Sequence, residues 1–272
     1  PNLSDRFEWR SEKNPFDQLA SDIRGAGLTR IEGSLFGYDG LFPGETIPDN
    51  WTADDLVWSY GARVSSLSAF DNALRIHLEP GELDGEPSRL SVQPPTDFMQ
   101  VENRVMTSAA ESKSSIELTR ALGSRRVIIT GSLPRLGPGW AGAVAVPEPA
   151  LFATTLLAEA LARHGVVIGG AIGTTRDSLP DGLRALASLR GPGVAEQIRV
   201  VNKESQNLHA EILLRRLGLH ASGDATVKGS LKALARFLER QGVRFGGAAT
   251  YDGSGLSRAD LVTARAEVDL LA

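Results

Sequence analysis

Residues 201–218 have the sequence VNKESQNLHAEILLRRLG, a polar break followed by an apolar pattern of helical period. Apolar residues recur at positions i, i+3, i+4 and i+7, namely Ala210, Leu213, Leu214 and Leu217. This spacing predicts a helix with one buried face. Arg215 and Arg216 suit the negative end of a helix dipole, and Gly218 can adopt the left-handed conformation that ends a helix. We therefore expect a buried helix that ends at Gly218.

Ser205 and Asn207 lie in the polar break, on the turn that enters this helix. Serine and asparagine are favoured at helix starts because their side-chain oxygens accept hydrogen bonds from orphan backbone N–H groups. On spacing alone, capping is therefore the favoured interpretation of both residues. Lys203, two residues before Ser205, is interpreted as surface charge.

The amino-acid composition predicts a soluble globular protein without a basic surface. A chain of 272 residues with 42% hydrophobic residues can bury a substantial core, and its length suggests about two domains. The net charge of −4 supplies no basic stripe for phosphate backbones, so nucleic acid is not an expected partner. No stretch has the roughly 20 apolar residues that span a bilayer. Residues 1–5 have no basic head or apolar segment of a signal peptide.

Cysteine is absent and histidine is sparse. The absence of cysteine excludes disulfides and thiolate metal sites, and is compatible with a reducing or an oxidising compartment. The chain has four histidines: His77, His164, His209 and His220. Their spacing fits no helical zinc motif. The glycines at 169–173 lack the context of a dinucleotide fingerprint, and the glycine-rich loop at 251–258 lacks the lysine of a P-loop. We expect no metal and no cofactor.

The order of helical and strand patterns predicts a multi-domain α/β protein. Besides the helix after Asn207, helices are expected at 14–27, 151–164, 194–203 and 229–240. Strands are expected at 30–36, 74–79, 90–92, 126–131 and 166–168. Trp51, Trp58 and Tyr60 are interpreted as a structural aromatic cluster, because each covers a large apolar area.

Changes in the residue pattern along the chain also predict domain boundaries. Residues 64–146 carry short alternating runs punctuated by proline and glycine, which is typical of half-buried strands, and His77 falls on a polar, exposed face. Pro147-Glu148-Pro149 marks a boundary, because proline restrains itself and the residue before it. We expect four segments: the two parts of an α/β domain at 1–63 and 147–180, a nested β-rich domain at 64–146, and a largely helical part at 181–272.

Two motifs carry a family resemblance: Ser205-Gln206-Asn207, continued as Asn-Leu-x-Ala-Glu, and Asp252-Gly253-Ser254-Gly255-Leu256-Ser257-Arg258. They resemble the Ser-x-Asn motif and the Asp-Gly-Ser-Gly-Leu-Ser-Arg signature of the class C low-molecular-mass penicillin-binding proteins, which are D-alanyl-D-alanine carboxypeptidases and endopeptidases. Further matches follow in family order at 1–4, 51–60, 65–67, 71–72 and 149–151. The family carries Ser-x-x-Lys, Ser-x-Asn and Lys-Thr-Gly around one acylation site.

The resemblance implies a penicillin-recognising transpeptidase domain, with its helical portion at 181–272, split by an inserted α/β domain that carries a nested β-rich domain. It also implies a serine-type carboxypeptidase or endopeptidase that forms an acyl-enzyme with peptidoglycan stem peptides ending in D-Ala-D-Ala. β-Lactams would be its inhibitors, and its location would be periplasmic or extracytoplasmic. By resemblance, Ser205 relays a proton towards the leaving amine and Asn207 holds the substrate's peptide bond.

The chain departs from the family in the other two motifs. None of its lysines follows a serine by three residues or precedes Thr-Gly, so Ser-x-x-Lys and Lys-Thr-Gly are absent. In the family these motifs would lie before Pro1 and after Ala272, so we expect an internal segment that penicillin does not acylate on its own. The missing motifs leave an alternative open: a non-catalytic cell-envelope protein that uses the scaffold for binding or assembly.

Overall fold

The structure is a computed structural model that describes residues 2–7, 14–244 and 246–272. Pro1, which belongs to the first matched segment, lies outside the described residues. The helices, in chain order, are α1 (Pro15–Gly25), α2 (Pro149–Arg163), α3 (Val194–Glu204), α4 (Asn207–Ser222), α5 (Val227–Arg240) and α6 (Ala264–Leu271). Within the described ranges, no helix has the length and apolar character needed to cross a bilayer.

The strands are short, and most of them lie in the first half of the chain. They are β1 (Asn2–Leu3), β2 (Arg30–Ile31), β3 (Leu35–Tyr38), β4 (Ser68–Ala69), β5 (Ala73–Glu79), β6 (Arg89–Gln93), β7 (Gln100–Ser108), β8 (Ser115–Thr119), β9 (Arg126–Pro134), β10 (Trp140–Ala145), β11 (Val167–Ile168) and β12 (Ile172–Thr175).

These strands form five small sheets. One has the antiparallel order β10-β5-β6, and another has the order β7-β9-β8 with β7 parallel to β9. The parallel pairs β1-β4, β11-β2 and β12-β3 each join segments that are distant in sequence. The two three-stranded sheets lie within 64–146, as the alternating pattern predicted. The domain boundaries themselves stay a prediction.

The predicted helices are confirmed, and α1 shows why the patterns succeeded. The side chain of Asn14 accepts a hydrogen bond from the backbone N–H of Phe16 at 2.9 Å and so caps the helix. Proline follows at the first helical position, where its missing N–H costs nothing. Phe16 and Ala20 are buried, so the predicted apolar face does meet the core.

The strand predicted at 30–36 is wrong in its middle. The chain bends at 32–34, and the two halves, β2 and β3, pair with different partners, β11 and β12. Gly33 and Ser34 lie in this bend, and both residue types favour turns over strand interiors. The predicted strand at 166–168 is confirmed as β11.

One large apolar core joins the sheets to the first two helices. On β5, Leu74, Ile76 and Leu78 are buried while His77 is exposed, as the alternation predicted. The side chains of this core come from α1, α2, β5, β9 and the segments between them. A second, smaller apolar cluster lies beneath α4 and contains Leu208 and Ile212.

The prediction that Gly218 ends its helix is wrong. The helix α4 continues to Ser222 and ends at Gly223, which adopts the left-handed conformation with φ 73°. A Cβ on Gly218 would lie 2.1 Å from Oγ of Ser230 and 2.4 Å from the carbonyl oxygen of Asp224. Gly218 therefore lets α5 approach α4 closely, and its role is packing rather than termination.

The charged residues of α4 also differ from expectation. Arg215 lies in the middle of the helix and is buried, whereas the prediction placed it at the exposed C-terminal end. The buried side of α4 carries His209, Glu211 and Arg215 beside its apolar residues. The predicted face is correct for Leu214, while the other apolar residues of the pattern are half-buried.

Candidate functional site

The turn between α3 and α4 carries both proposed site residues. Ser205 ends α3 in the left-handed conformation, with φ 52° and ψ 50°, and Asn207 is the first residue of α4. The backbone N–H of Gln206 donates to the carbonyl of Val201 at 3.2 Å, and the Ser205 N–H donates to the same oxygen. A left-handed residue other than glycine costs about 1–2 kcal/mol, so the surrounding contacts must hold this turn.

Capping of α4 is performed by Gln206, which lies between the two proposed residues. Its side-chain oxygen accepts a hydrogen bond from the backbone N–H of Leu208 at 3.1 Å, and its side chain is buried. The capping interpretation of Ser205 and Asn207 is therefore wrong. This cap could not be predicted from the sequence, because glutamine is not among the residues favoured at helix starts.

Neither Ser205 nor Asn207 is used to cap α4, so both side chains could contact a substrate. Ser205 is exposed, and its hydroxyl makes no hydrogen bond to any residue that the structure describes. Asn207 is half-buried, and its side-chain N–H donates to the backbone carbonyl of Tyr60 at 2.9 Å. Tyr60 belongs to the predicted aromatic cluster, so the turn lies beside that segment.

The carboxylate of Asp71 lies beneath this turn and is 3% exposed. One oxygen, Oδ1, accepts the Ser4 hydroxyl at 2.6 Å and contacts Nε2 of His209 at 2.9 Å. The other oxygen, Oδ2, accepts Nε–H of Arg6 at 2.5 Å. Burial raises the pKa of Asp71, but the hydrogen bond from His209 and the nearby positive charges outweigh burial and hold this pKa far below its usual range.

His209 is fully buried in the first turn of α4. Because an ionised carboxylate can only accept, Nε2 of His209 donates the hydrogen to Asp71. The imidazole stacks on the ring of Phe7, with ring centroids 5.6 Å apart and planes at 25°. Its second nitrogen, Nδ1, has no partner among the described residues. The ring is therefore held by one hydrogen bond and one stacking contact.

The other side of the turn is held by Arg6. Its guanidinium forms an ion pair with Glu204, the last residue of α3, in addition to its contact with Asp71. Glu204 directly precedes Ser205 in sequence. A chain of contacts thus connects the buried carboxylate of Asp71 to the residue next to Ser205.

The glycine-rich loop of the second motif folds around Asp252. Its two carboxylate oxygens accept the backbone N–H groups of Ser254 at 3.1 Å, Gly255 at 2.7 Å and Ser257 at 2.7 Å. Nε1–H of Trp51 donates to the same carboxylate at 2.8 Å. Burial raises the pKa of Asp252, but these hydrogen bonds outweigh it and keep the pKa below its usual value.

Glu211 ties α4 to this loop. Its Oε1 accepts the backbone N–H of Gly253 at 2.6 Å, and its Oε2 accepts NH1 of Arg215 at 2.8 Å. Both members of the ion pair are almost completely buried. Burial raises the pKa of Glu211, and the charge and hydrogen bond of Arg215 counteract that rise. The two motifs of the resemblance are therefore neighbours in space.

Sequence reasoning missed the buried groups that support the turn. The i, i+4 spacing of Glu211 and Arg215 is a recognisable signal for an ion pair on one helix face. Asp71 and His209 are 138 residues apart, and no local pattern connects them. In the part of the chain that the structure describes, no cluster of three or more ligating side chains fits a metal ion.

The chain matches a known family along nearly its whole length. The family described as D-Ala-D-Ala carboxypeptidase 3 (S13) matches residues 10–272. A D-alanyl-D-alanine carboxypeptidase from Actinomadura sp. (strain R39) is 31% identical over 264 residues, which cover 94% of this chain and 48% of that protein. The D-alanyl-D-alanine carboxypeptidase DacB of Haemophilus influenzae is 22% identical over 256 residues, covering 93% of this chain and 53% of that protein.

Solved structures support the fold. The crystal structure of penicillin binding protein 4 (dacB) from Haemophilus influenzae has a TM-score of 0.77 at 22% identity, over 94% of this chain and 56% of that chain. The same protein complexed with a novel β-lactam has a TM-score of 0.65 at 21% identity, over 94% and 54% of the two chains. These likenesses confirm the multi-domain α/β fold class.

The chain spans about half the length of the curated relatives it matches. The family resemblance that the Ser205 and Asp252 motifs indicated is confirmed by an independent match to the family and by these relatives. This chain belongs to the D-Ala-D-Ala carboxypeptidase 3 (S13) family.

Proposed function

We propose that this protein is a serine-type D-Ala-D-Ala carboxypeptidase or endopeptidase that cleaves peptidoglycan stem peptides through an acyl-enzyme. β-Lactams would acylate the same nucleophile. The observation that carries the proposal is the turn at 205–207, where an exposed, unbonded serine hydroxyl and a side-chain amide stand next to each other on a buried framework. Family membership and the names of the curated relatives support the reaction class.

The two site residues have distinct proposed roles. The Ser205 hydroxyl can both accept and donate a proton, so it relays the nucleophile's proton towards the leaving amine. The Asn207 side chain offers a donor and an acceptor, which suits it to hold the peptide bond of the substrate. The nucleophile itself must be a serine activated by a neighbouring base such as lysine. The 272 residues contain no Ser-x-x-Lys, so neither Ser205 nor Asn207 is assigned to the attack.

The proposed substrate places the protein in the periplasm or another extracytoplasmic space, where peptidoglycan lies. The alternative function, a non-catalytic envelope protein, is not favoured. The family and both curated relatives are described as carboxypeptidases, and the described site retains its exposed hydroxyl and amide.

The test uses the protein produced from its complete gene. We would measure acylation by a fluorescent penicillin and release of D-alanine from a peptide ending in D-Ala-D-Ala. Ser205→Ala should slow acylation by about a hundredfold or more, because a proton relay is lost. Asn207→Ala should slow acylation by about tenfold to a hundredfold, because the substrate is no longer oriented. Ser178→Ala, at an exposed loop serine, is the matched control and should change neither rate.

A wild-type protein that releases no D-alanine and takes no penicillin would overturn the proposal. A mass increase of one drug on residues 1–272 alone would overturn the assignment of roles to Ser205 and Asn207, because a serine inside the chain would then be the nucleophile. Ser205 and Ser254 would be mapped first in that case.

A further inference from the structure

Three consecutive residues ahead of β5 adopt the left-handed conformation, and none of them is glycine. Phe70, Asp71 and Asn72 have φ values of 48°, 57° and 52°. Such a conformation is unfavourable for a residue with a Cβ and is rare in succession. Strained backbone of this kind persists only where the surroundings determine it, and it is concentrated at functional sites.

The strained turn is locked by its last residue. Oδ1 of Asn72 accepts the backbone N–H of Ala69 at 3.1 Å. Nδ2 of Asn72 donates to the carbonyl of Arg63 at 2.9 Å and to the hydroxyl of Ser68 at 3.2 Å. Asn72 is completely buried, so these bonds fix the turn from within the protein. The turn therefore presents the side chain of Asp71 in one direction.

Asp71 holds both ends of the 205–207 turn. On the α4 side it binds His209, which lies two residues after Asn207. On the α3 side it binds Arg6, which forms the ion pair with Glu204 directly before Ser205. A buried carboxylate with several donors is a rigid support, because breaking any one bond leaves polar groups unsatisfied.

We propose that Asp71 is a positioning residue that, through His209 and Arg6, fixes the geometry of the Ser205–Asn207 turn. The catalytic part of this inference rests on the proposed function, since it concerns how the turn meets the substrate. The structural part does not rest on the proposed function. It predicts only that the turn opens when the connection through His209 or the connection through Arg6 is removed. The two parts have separate readouts.

The first pair of variants cuts the α4 connection and then restores it. His209→Leu keeps an apolar side chain in the buried space but offers no donor to Asp71. His209→Gln places an N–H close to the position of the imidazole Nε2, so it should rescue the contact. The matched control is His220→Leu, because His220 is an exposed histidine on the same helix.

A further variant cuts the α3 connection at the surface. Glu204→Ala removes the partner of Arg6 at a side chain that is 44% exposed, so folding is not threatened. It leaves the contact between Asp71 and His209 in place. If His209→Leu fails to give a folded circular dichroism spectrum, Glu204→Ala carries the test.

The structural readout is amide hydrogen exchange at the turn. The N–H groups of Ser205, Gln206 and Leu208 are hydrogen-bonded in the closed turn. We expect His209→Leu and Glu204→Ala to speed their exchange by about tenfold, and His209→Gln and His220→Leu to leave it within about threefold of wild type. Unchanged exchange in both His209→Leu and Glu204→Ala would overturn the inference.

The catalytic readout is turnover of a D-Ala-D-Ala peptide by the protein from its complete gene. Displacement of the turn should lower kcat by about tenfold to a hundredfold and leave KM within about threefold, with rescue by His209→Gln. Faster exchange with unchanged kcat would overturn the catalytic part. If the wild-type protein has no activity while the turn still opens in His209→Leu and Glu204→Ala, the proposed function is refuted and the positioning role of Asp71 stands.

Discussion

The indole N–H of Trp51 donates to the carboxylate of Asp252 at 2.8 Å, although 201 residues separate them in sequence. Both side chains are buried. The bond joins the segment after β3 to the glycine-rich loop of the second family motif. Since Glu211 of α4 binds the same loop through Gly253, three distant segments meet beside the candidate site.

Trp51→Phe should destabilise the protein and loosen the 252–258 loop. The substitution removes one of several donors to a buried carboxylate, and a hydrogen bond to a charged group contributes about 1.5–3 kcal/mol. Urea unfolding would measure the loss. The control is Trp140→Phe, because the indole N–H of Trp140 donates to no residue in the described ranges. Equal losses in the two variants would mean that volume, and not the hydrogen bond, sets the effect.

Local patterns predicted the helices because their signals lie within a few residues of each other. The apolar spacings in α1 and α4 are signals of this kind. The same patterns failed where a distant segment decides the outcome. Gly218 looked like a helix end, but the approach of α5 explains it.

In the candidate site, too, the residues of a short motif were predicted and the contacts between distant segments were not. Ser205 and Asn207 are recognisable because they lie two residues apart in one short motif. The network beneath them, Asp71 with His209 and Arg6, joins three segments that no spacing rule connects. Its buried charges also contradict the simplest expectation for a buried face, which is apolar residues alone.

Gly218→Ala should destabilise the protein, although alanine is the better helix former by about 1 kcal/mol. A Cβ at this position would overlap Oγ of Ser230 and the backbone oxygen of Asp224, so α4 and α5 must separate. Overpacking of this kind costs about 1–3 kcal/mol. Thermal unfolding would measure it. Gly25→Ala in α1, where a Cβ meets nothing within 4 Å, should be neutral or stabilising. A stabilised Gly218→Ala variant would contradict the packing role.

Arg215→Met should cost about 3–5 kcal/mol of unfolding free energy, because it leaves the buried carboxylate of Glu211 without its cation. Glu211→Gln in the same protein should recover much of that loss. The glutamine oxygen can still accept the Gly253 N–H, and no charge remains to be compensated. A double-mutant cycle by urea unfolding measures the coupling. Arg216→Met, at the exposed neighbour, should stay within about 0.5 kcal/mol of wild type. Additive losses in the cycle would argue against a coupled pair.

The pKa of Asp260 gives the 251–260 loop a pH dependence. This pKa is raised to about 6, chiefly by burial and also by a hydrogen bond with Asp252 and the negative charges of Asp252 and Glu211. The Tyr251 N–H, which donates to Oδ1 of Asp260 at 2.6 Å, acts in the opposite direction. An unfolded aspartate titrates near a pKa of about 3.9. The folded state therefore binds the proton more tightly than the unfolded state does.

Asp260→Asn should remove this pH dependence. With the folded pKa raised, the stabilising contribution is fully present below about pH 4 and is lost as the pH rises through about 6. Asparagine imitates the protonated acid, so the variant should be more stable than wild type at pH 7.5 by about 1 kcal/mol after solvent screening, and this difference should shrink to about a third at pH 4.5. Urea unfolding at both values measures the difference. Asp49→Asn, at an exposed loop aspartate, should show no such change with pH. If the difference in unfolding free energy between Asp260→Asn and wild type is the same at both pH values, the proton on Asp260 does not stabilise the loop.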